Sequence, residues 1–145
     1  MRFAIEEGAL VFYHNGERTR SEAWGKDSLR VRSTMQGKFT ENPWALTEDI
    51  PHGEALIVVE EEDHWVGDGT IDKKEKATIT NGRIQAVVNF AGIITFYRDG
   101  QQILREYYRM YDGTLSRESR CLKVINRTWK GVIGGSEYEL NVKFE

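Results

Sequence analysis

The sequence has little of several residue types, and each shortage excludes a class of protein. It has one cysteine, Cys121, so no intrachain disulfide can form and nothing points to an oxidising compartment. Two prolines against 14 glycines indicate many turns and few rigid linkers. No run of about 18 apolar residues and no signal peptide occurs, so we expect no membrane partner. We therefore expect a cytoplasmic protein with one domain, residues 1–145.

Charge is unevenly distributed along the chain. Residues 1–72 hold 7 Lys and Arg against 15 Asp and Glu, whereas residues 73–145 hold 13 against 8. A basic second half is one sign of nucleic-acid binding. Its arginines, however, stand singly among apolar residues, a pattern typical of the solvent-exposed faces of strands. We therefore expect no nucleic-acid partner.

The residue patterns that usually mark metal, cofactor or nucleophile sites are also missing. His14, His52 and His64 are not spaced as metal ligands. The dense group Asp63, His64, Asp68 and Asp72 loosely resembles a calcium loop but lacks the alternating ligands and the closing Glu. Cys121 has no histidine nearby in sequence, and no phosphate-binding loop or nucleophile elbow occurs. We predict no metal, no cofactor and no catalytic residue in this chain.

Turn signals divide the sequence into short segments with a period of two. Most neighbouring turn signals lie roughly 8–12 residues apart, the rhythm of an all-β sandwich or barrel. They fall at Glu7-Gly8, Asn15-Gly16, Gly25–Asp27, Pro51–Gly53, Asp68-Gly69, Asn81-Gly82, Ala91-Gly92, Asp99-Gly100, Asp112-Gly113 and Gly134-Gly135. Asn-Gly and Asp-Gly pairs close tight hairpins because both residues tolerate positive φ. The fold class that we predict is all-β, an antiparallel sandwich.

Individual segments refine this expectation. Residues 55–59 form an apolar run suited to a strand covered on both faces, and Tyr138–Phe144 alternates as a half-exposed strand does. Residues 36–50 and 61–75 are polar and irregular, and we predict loops there. Residues 101–111 are predicted to begin as a strand that frays into a loop.

The four tryptophans receive separate interpretations. Core packing is expected for Trp24, and an anchoring role between loop and strand for Trp44. Trp129 is equally compatible with core and surface. Trp65 stands in a strongly polar segment beside carboxylates and a histidine, so its indole is a candidate for stacking on a sugar or packing on a partner. The alternative for Trp65 is a loop aromatic that folds back on its own sandwich.

Three stretches of the sequence resemble family 31 glycoside hydrolases, the α-glucosidases and α-xylosidases. The first includes Phe3–Phe12 and the segment Ser21–Arg32, which is similar to the family's P-W-G-x-N-S-x-R-V-R motif, with Ala23 where many relatives have Pro. The second is Ala77–Leu104, which resembles the hairpin run T-x-N-G-x-I, G-x-I-x-F-Y and G-x-x-L-L. The third is Tyr138–Glu145, which resembles the strand that leads into the family's E-x-x-Y-G-x-G segment.

The resemblance implies a galactose-mutarotase-like, possibly incomplete sandwich that serves as a non-catalytic N-terminal domain. The parent enzyme would be a retaining α-glycosidase acting on α-linked xylose or glucose. Its Asp nucleophile and Asp acid/base would lie in a (β/α)8 barrel absent from this chain. The family's N-terminal domain also has a loop that reaches over the active-site mouth, and this loop is absent as well because it follows the missing Y-G-x-G segment. The implied partners are that barrel and, through it, an α-linked oligosaccharide. We also expect an incomplete sandwich to self-associate through exposed edges such as Tyr138–Phe144.

Two other functions compete with this interpretation. One is a free-standing carbohydrate-binding β-sandwich with Trp65 or Trp129 as its platform. The other is a lipocalin-like small-molecule barrel, which would require closed strand pairing around an apolar cavity.

Overall fold

A computed structural model describes residues 2–14, 16–35, 37–39, 50 and 53–106, together with the backbone of 128–131 and 138–141. The regular elements of this part of the chain are strands. Their bounds are β1 Phe3–Glu6, β2 Ala9–His14, β3 Glu17–Ala23, β4 Leu29–Thr34, β5 Leu56–Val66, β6 Thr70–Asn81, β7 Ile84–Val88, β8 Ile94–Arg98, β9 Gln101–Arg105, β10 Thr128–Gly131 and β11 Tyr138–Asn141. Across these residues, no helix is long and apolar enough to cross a membrane.

The first sheet is a meander of four antiparallel strands in the order β1-β2-β3-β4. Tight turns connect the strands, and Glu7 and Asp27 adopt the positive φ that such turns require. Ala23 pairs with Leu29 across the predicted corner, and the Trp24 amide donates to the Ser28 carbonyl at 3.1 Å. The predicted strand–turn–strand over Ser21–Arg32 is therefore confirmed.

The second sheet contains five antiparallel strands in the order β5-β6-β7-β8-β9. Strands β5 and β6 are much longer than their neighbours, and β7 pairs only with residues 77–81 of β6. The pairs from Glu60–Lys76 to Val66–Thr70 therefore extend beyond the sheet as a two-stranded ribbon. We call residues 60–76 the ribbon, and its seven residue pairs give a length of roughly 23 Å.

The core lies between the two sheets, which pack face to face. Its buried side chains come from β1 and β2 in the first sheet and from β6, β7 and β8 in the second. They are Phe3, Leu10, Phe12, Ala77, Ile79, Ala86, Val88 and Ile94, and Leu29, Val31, Ala55, Ile57 and Phe96 pack around them. Phe3 and Phe12 are opposed across β1 and β2, and their rings are tilted by 46° with centroids 4.9 Å apart. The predicted antiparallel sandwich is confirmed.

Polar contacts join the two sheets at the β3–β4 corner. The Asn81 side-chain amide, on β6, donates to the carbonyl oxygens of Gly25 at 2.8 Å and Ser28 at 2.7 Å. The Arg83 amide donates to the Asp27 carboxylate at 2.8 Å. Gly25 has a φ of 68°, and a Cβ there would lie 2.8 Å from Ile50 Cγ2, so glycine is needed on both counts.

Three sequence predictions are wrong. Residues 61–75 form the strands of the ribbon instead of a loop. The segment 55–59 is covered on one face only, because Ile57 packs on the core while Leu56 and Val58 are exposed. The lipocalin-like alternative fails because the described strands form separate open sheets instead of a closed barrel.

Several other predictions fall outside the described residues. These are the positions of Trp44, His52 and Cys121, the turns at Asp112-Gly113 and Gly134-Gly135, and the side chain of Trp129. Strand β11 exists over Tyr138–Asn141 and pairs with β10. Whether its side chains drive self-association remains a prediction.

Candidate functional site

Trp65, the candidate sugar contact, lies near the tip of the ribbon. Its side chain is 69% exposed, and its cross-strand neighbour is Ile71, which is 61% exposed. Opposed residues in an antiparallel pair place their side chains on the same face. The indole and the isoleucine therefore form one exposed apolar pair, and the alternative of an aromatic folded back on its own sandwich is wrong. The contact of Trp65 with sugar remains a prediction.

The opposite face of the ribbon tip is also apolar. Val66 follows Trp65 in β5 and therefore points to the other face, where it is 44% exposed. The turn that closes the ribbon contains Gly67, Asp68 and Gly69, and the Asp68 carboxylate accepts from the Thr70 amide at 2.9 Å. Hydrogen bonding to Thr70 lowers the pKa of Asp68 below its usual range. The tip thus has exposed apolar side chains on both faces and is closed by a polar turn.

The remainder of the ribbon is charged and mostly exposed. Residues 60–76 carry seven carboxylates against three lysines. Lys73 lies 3.6 Å from Asp63, and Lys76 lies 3.1 Å from Glu62 and 3.4 Å from Glu60. The hydrogen bond to Glu62, reinforced by the charges of Glu62 and Glu60, raises the pKa of Lys76. The ribbon is therefore an acidic arm with an apolar tip.

The dense acidic group of the sequence does not assemble into a metal site. His64 pairs with Asp72 across the ribbon, while Asp63 points to the opposite face and pairs with Lys73. Asp72 hydrogen-bonds Lys74, and this bond lowers the pKa of the carboxylate. The His64 ring lies 4.7 Å from that of Phe90. Among the described residues, no group of three His, Cys, Asp or Glu side chains could hold a metal ion.

A second polar region covers the outer face of the first sheet. We call it the arginine–glutamate face, and its members are Glu6, Arg18, Arg20, Glu22, Arg30 and Arg32. At its centre the Glu22 side chain is only 6% exposed. Its carboxylate accepts from Arg20 Nε at 3.0 Å and lies 2.9 Å from Arg32 Nη2, with Arg30 Nη1 at 4.0 Å. Three cations therefore surround one buried carboxylate.

The same face is reinforced at its edge by aromatic rings. Arg18 donates to the Glu6 carboxylate at 2.8 Å, and its guanidinium lies over the rings of Tyr13 and Phe39. The Tyr13 hydroxyl hydrogen-bonds Glu6, and this bond, together with burial, raises the pKa of the phenol. Arg32 likewise lies over Phe39, with 5.0 Å between the guanidinium carbon and the ring centroid.

Trp24 belongs to this face and not to the core cluster. The Arg30 guanidinium lies 4.4 Å from its ring centroid, and the residue is half-buried. The expectation of core packing for Trp24 is therefore wrong. A cation–π contact of this kind uses the ring face that core packing would have covered.

The arginine–glutamate face borders a cleft of about 1000 Å³. Its walls include Glu6, Arg18, Arg20, Glu22 and Arg32 from the sheet, and Lys38, Phe39 and Glu54 from the adjoining segments. The sheet's carboxylates Glu6 and Glu22 are held in ion pairs with arginine. Such a surface suits recognition of polar groups.

The sequence contained a signal for this face that the predictions missed. Arg18, Arg20 and Glu22 alternate in one strand, and Arg30 and Arg32 alternate in the next, on either side of a corner that was recognised. A period of two places each set on one face, and antiparallel pairing places the two sets side by side. The sequence predictions gave these arginines no role.

Comparisons with known proteins test the resemblance noted in the sequence. No family model matches the chain. A protein from Pseudescherichia vulneris, described as an uncharacterized family 31 glucosidase, is 34% identical over 136 residues, which cover 87% of this chain and 23% of that protein. The crystal structure of a family 31 α-xylosidase from a soil metagenome, complexed with xylose, matches with a TM-score of 0.66 and 31% identity. This match covers 97% of this chain and 20% of that one.

The chain is a β-sandwich related to the family 31 glycoside hydrolases. It spans about a fifth to a quarter of the length of these two relatives. The resemblance and the fold that it implied are therefore confirmed. The activity, substrates and partners of the relatives belong to much longer proteins.

Proposed function

We propose that this chain is the non-catalytic N-terminal β-sandwich domain of a family 31 retaining α-glycosidase. The observation that supports this most is the match of 97% of the chain to one fifth of a family 31 α-xylosidase, at 31% identity. The domain packs on the catalytic barrel and supports the active-site entrance or an oligomer interface. The complete enzyme acts on α-linked xylose or glucose.

The side-chain chemistry is in keeping with a supporting role. Glycoside hydrolysis needs two carboxyl groups about 5–10 Å apart across a sugar, one of them able to exchange a proton. In the arginine–glutamate face, the buried Glu22 carboxylate forms ion pairs with Arg20 and Arg32. In this proposal, the reacting carboxylates of the enzyme lie in the catalytic barrel, outside this chain.

Location and assembly are also part of the proposal. A single cysteine suits a reducing compartment, and we place the enzyme in the cytoplasm. Exposed apolar side chains on β5, β6 and β9, including Leu56, Ile71 and Ile103, suit contacts with other parts of the enzyme or with further copies.

A hydrolysis assay tests the proposal. Aryl α-xyloside and aryl α-glucoside are offered separately to residues 1–145 and to the complete gene product that contains them. We expect hydrolysis of at least one substrate by the complete product and none by residues 1–145. Hydrolysis by residues 1–145 alone, or an inert and longer complete product, would contradict the proposal.

A second candidate function is a carbohydrate-binding module, and the exposure of Trp65 favours it. An exposed indole provides a flat apolar surface on which a sugar ring can stack. Titration of tryptophan fluorescence with xylose, glucose and their oligomers tests this candidate. Saturable quenching that is lost in Trp65→Ala but kept in Leu56→Ala would support it, and a flat titration would exclude it.

A further inference from the structure

The ribbon has no third strand beside it and meets its own sandwich through side chains: the His64 ring lies 4.7 Å from that of Phe90, and the Glu75 carboxylate accepts from the Arg2 amide at 2.9 Å. Residues 60–66 of β5 pair only with residues 70–76 of β6, since the pairing with β7 begins at Ala77. Isolated two-stranded ribbons are only marginally stable in water. An arm of about seven pairs that ends in exposed Trp65, Val66 and Ile71 is therefore a poor structure for a free surface.

The shape of the tip distinguishes between possible occupants. A sugar stacks on one face of an aromatic ring, whereas here Trp65 and Ile71 are apolar on one face and Val66 on the other. Two apolar faces become buried together only when the tip enters a pocket. The surface around the pocket must also be complementary in charge to the ribbon, because residues 60–76 carry seven carboxylates and three lysines.

The size of the tip argues against a free second copy as its main partner. Three such side chains expose at most a few hundred Å² of apolar surface, whereas a stable complex of separate molecules buries about 800 Å² on each partner. A contact this small persists when a covalent link supplies a high effective concentration. The two relatives are four to five times longer than this chain, so a tethered partner is available in proteins of this kind.

We propose that the ribbon tip inserts into an apolar pocket with a basic rim on the remaining part of the same polypeptide. This inference rests on the proposed function, because it requires a longer enzyme. Docking anchors the domain through Trp65, Val66 and Ile71, which lie outside the core cluster. Trp65 is then a protein-contact residue and not a sugar platform.

Hydrogen exchange of the complete gene product tests the docking. We expect amides 63–72 to exchange at least about 100-fold more slowly than in an unstructured chain, because docking stabilises the ribbon. Trp65→Ser should remove most of this protection. The matched control is Leu56→Ser, since Leu56 lies in the same strand and is 68% exposed, and it should leave the ribbon protected. Raising the salt concentration should speed exchange in the wild type if the rim is basic.

Other results would overturn the inference in distinguishable ways. Rapid exchange at 63–72 in an active, longer enzyme would reject docking while the proposed function stands. Protection that disappears on dilution would identify a second copy, and protection that requires added xylose or glucose would identify a sugar site. Exchange that ignores salt would contradict the basic rim. A gene product that ends at Glu145 would remove the proposed function itself.

Discussion

The arginine–glutamate face and the ribbon are both rich in charge, yet they use it in opposite ways. In the arginine–glutamate face, Glu22 is nearly buried and is surrounded by arginines whose side chains are 14–21% exposed. On the ribbon, Lys73 and Asp63 are 65% and 66% exposed although they also form a pair. The two regions differ in how deeply their ion pairs are buried because they differ in the number of neighbouring strands. Both regions are rich in charged residues.

This contrast shows which part of the structure is stable without a partner. Four paired strands bring cations from β3 and β4 around one carboxylate, and the core beneath holds the strands in place. The ribbon has one partner for each strand and meets the sandwich through a few side-chain contacts such as His64–Phe90. Ion pairs as exposed as Lys73–Asp63 contribute little. The sandwich should therefore be stable in itself, and the ribbon should depend on a partner.

The largest expected effect separates the core from the ribbon. Phe12 is fully buried between the sheets, so Phe12→Ala should lower the free energy of unfolding by about 3–5 kcal/mol. Trp65→Ala removes a larger side chain that is mostly exposed, and it should cost this chain no more than about 1 kcal/mol. Urea unfolding of both variants measures the difference. Equal losses would mean that the tryptophan belongs to the sandwich after all.

The second effect compares two glutamates that contact the same arginine. Glu22→Gln leaves Arg20, Arg30 and Arg32 without their buried counter-charge, and we expect a loss of about 2–3 kcal/mol. Glu7 lies 3.4 Å from Arg20 but is 85% exposed, so Glu7→Gln should stay within about 0.5 kcal/mol of the wild type. Thermal unfolding measures both variants, and similar values for the two would contradict the burial argument.

The third effect concerns the link between the sheets. Asn81→Ala leaves the carbonyl oxygens of Gly25 and Ser28 without their donor, which should cost about 1–2 kcal/mol. Asn81→Asp should cost more, because it directs a carboxylate at the same two carbonyls. Urea unfolding ranks the two variants, and the reverse order would show that the amide donors are not what matters at this position.

The smallest effect is the pH response of the ribbon. Lys74 lowers the pKa of Asp72 from 3.8, so the folded ribbon favours the ionised carboxylate and gains stability above this value. That gain is lost as the pH falls through the lowered pKa. Asp72→Asn should therefore speed ribbon amide exchange slightly at neutral pH but not in strong acid.

Glu61→Gln provides the control for this titration. Glu61 lies opposite Glu75, a like charge, so its neutralisation should not loosen the ribbon. A loss of protection in Glu61→Gln as large as that in Asp72→Asn would show that net charge, and not the contact with Lys74, sets the response.

Local rules predicted the sandwich well because its signals are local. Turn residues such as Asp27 and Asp99, both within predicted turns, do adopt positive φ. The ribbon was missed because its strands are polar on both faces, so no hydrophobic alternation marks them. Residues 61–75 are strands because the two halves of the segment pair with each other. Neither half carries a residue pattern that would show this pairing.

The candidate site was predicted only in part, for a related reason. The polar surroundings of Trp65 marked it as a candidate contact, but its pairing with Ile71 depends on the register of the ribbon. The burial of Glu22 depends on three arginines from two strands, and the sequence shows them as separate exposed charges. Long-range geometry therefore decided which charges became buried.

The central claim is that this sandwich is the N-terminal part of a longer α-glycosidase. The most direct measurement is the sequence of the complete gene, read past the codon for Glu145. We predict an open frame that continues through a Tyr-Gly-x-Gly strand into alternating strands and helices with a catalytic Asp. A stop codon directly after Glu145 would contradict the claim and would leave a free-standing β-sandwich, for which sugar binding at Trp65 becomes the leading function.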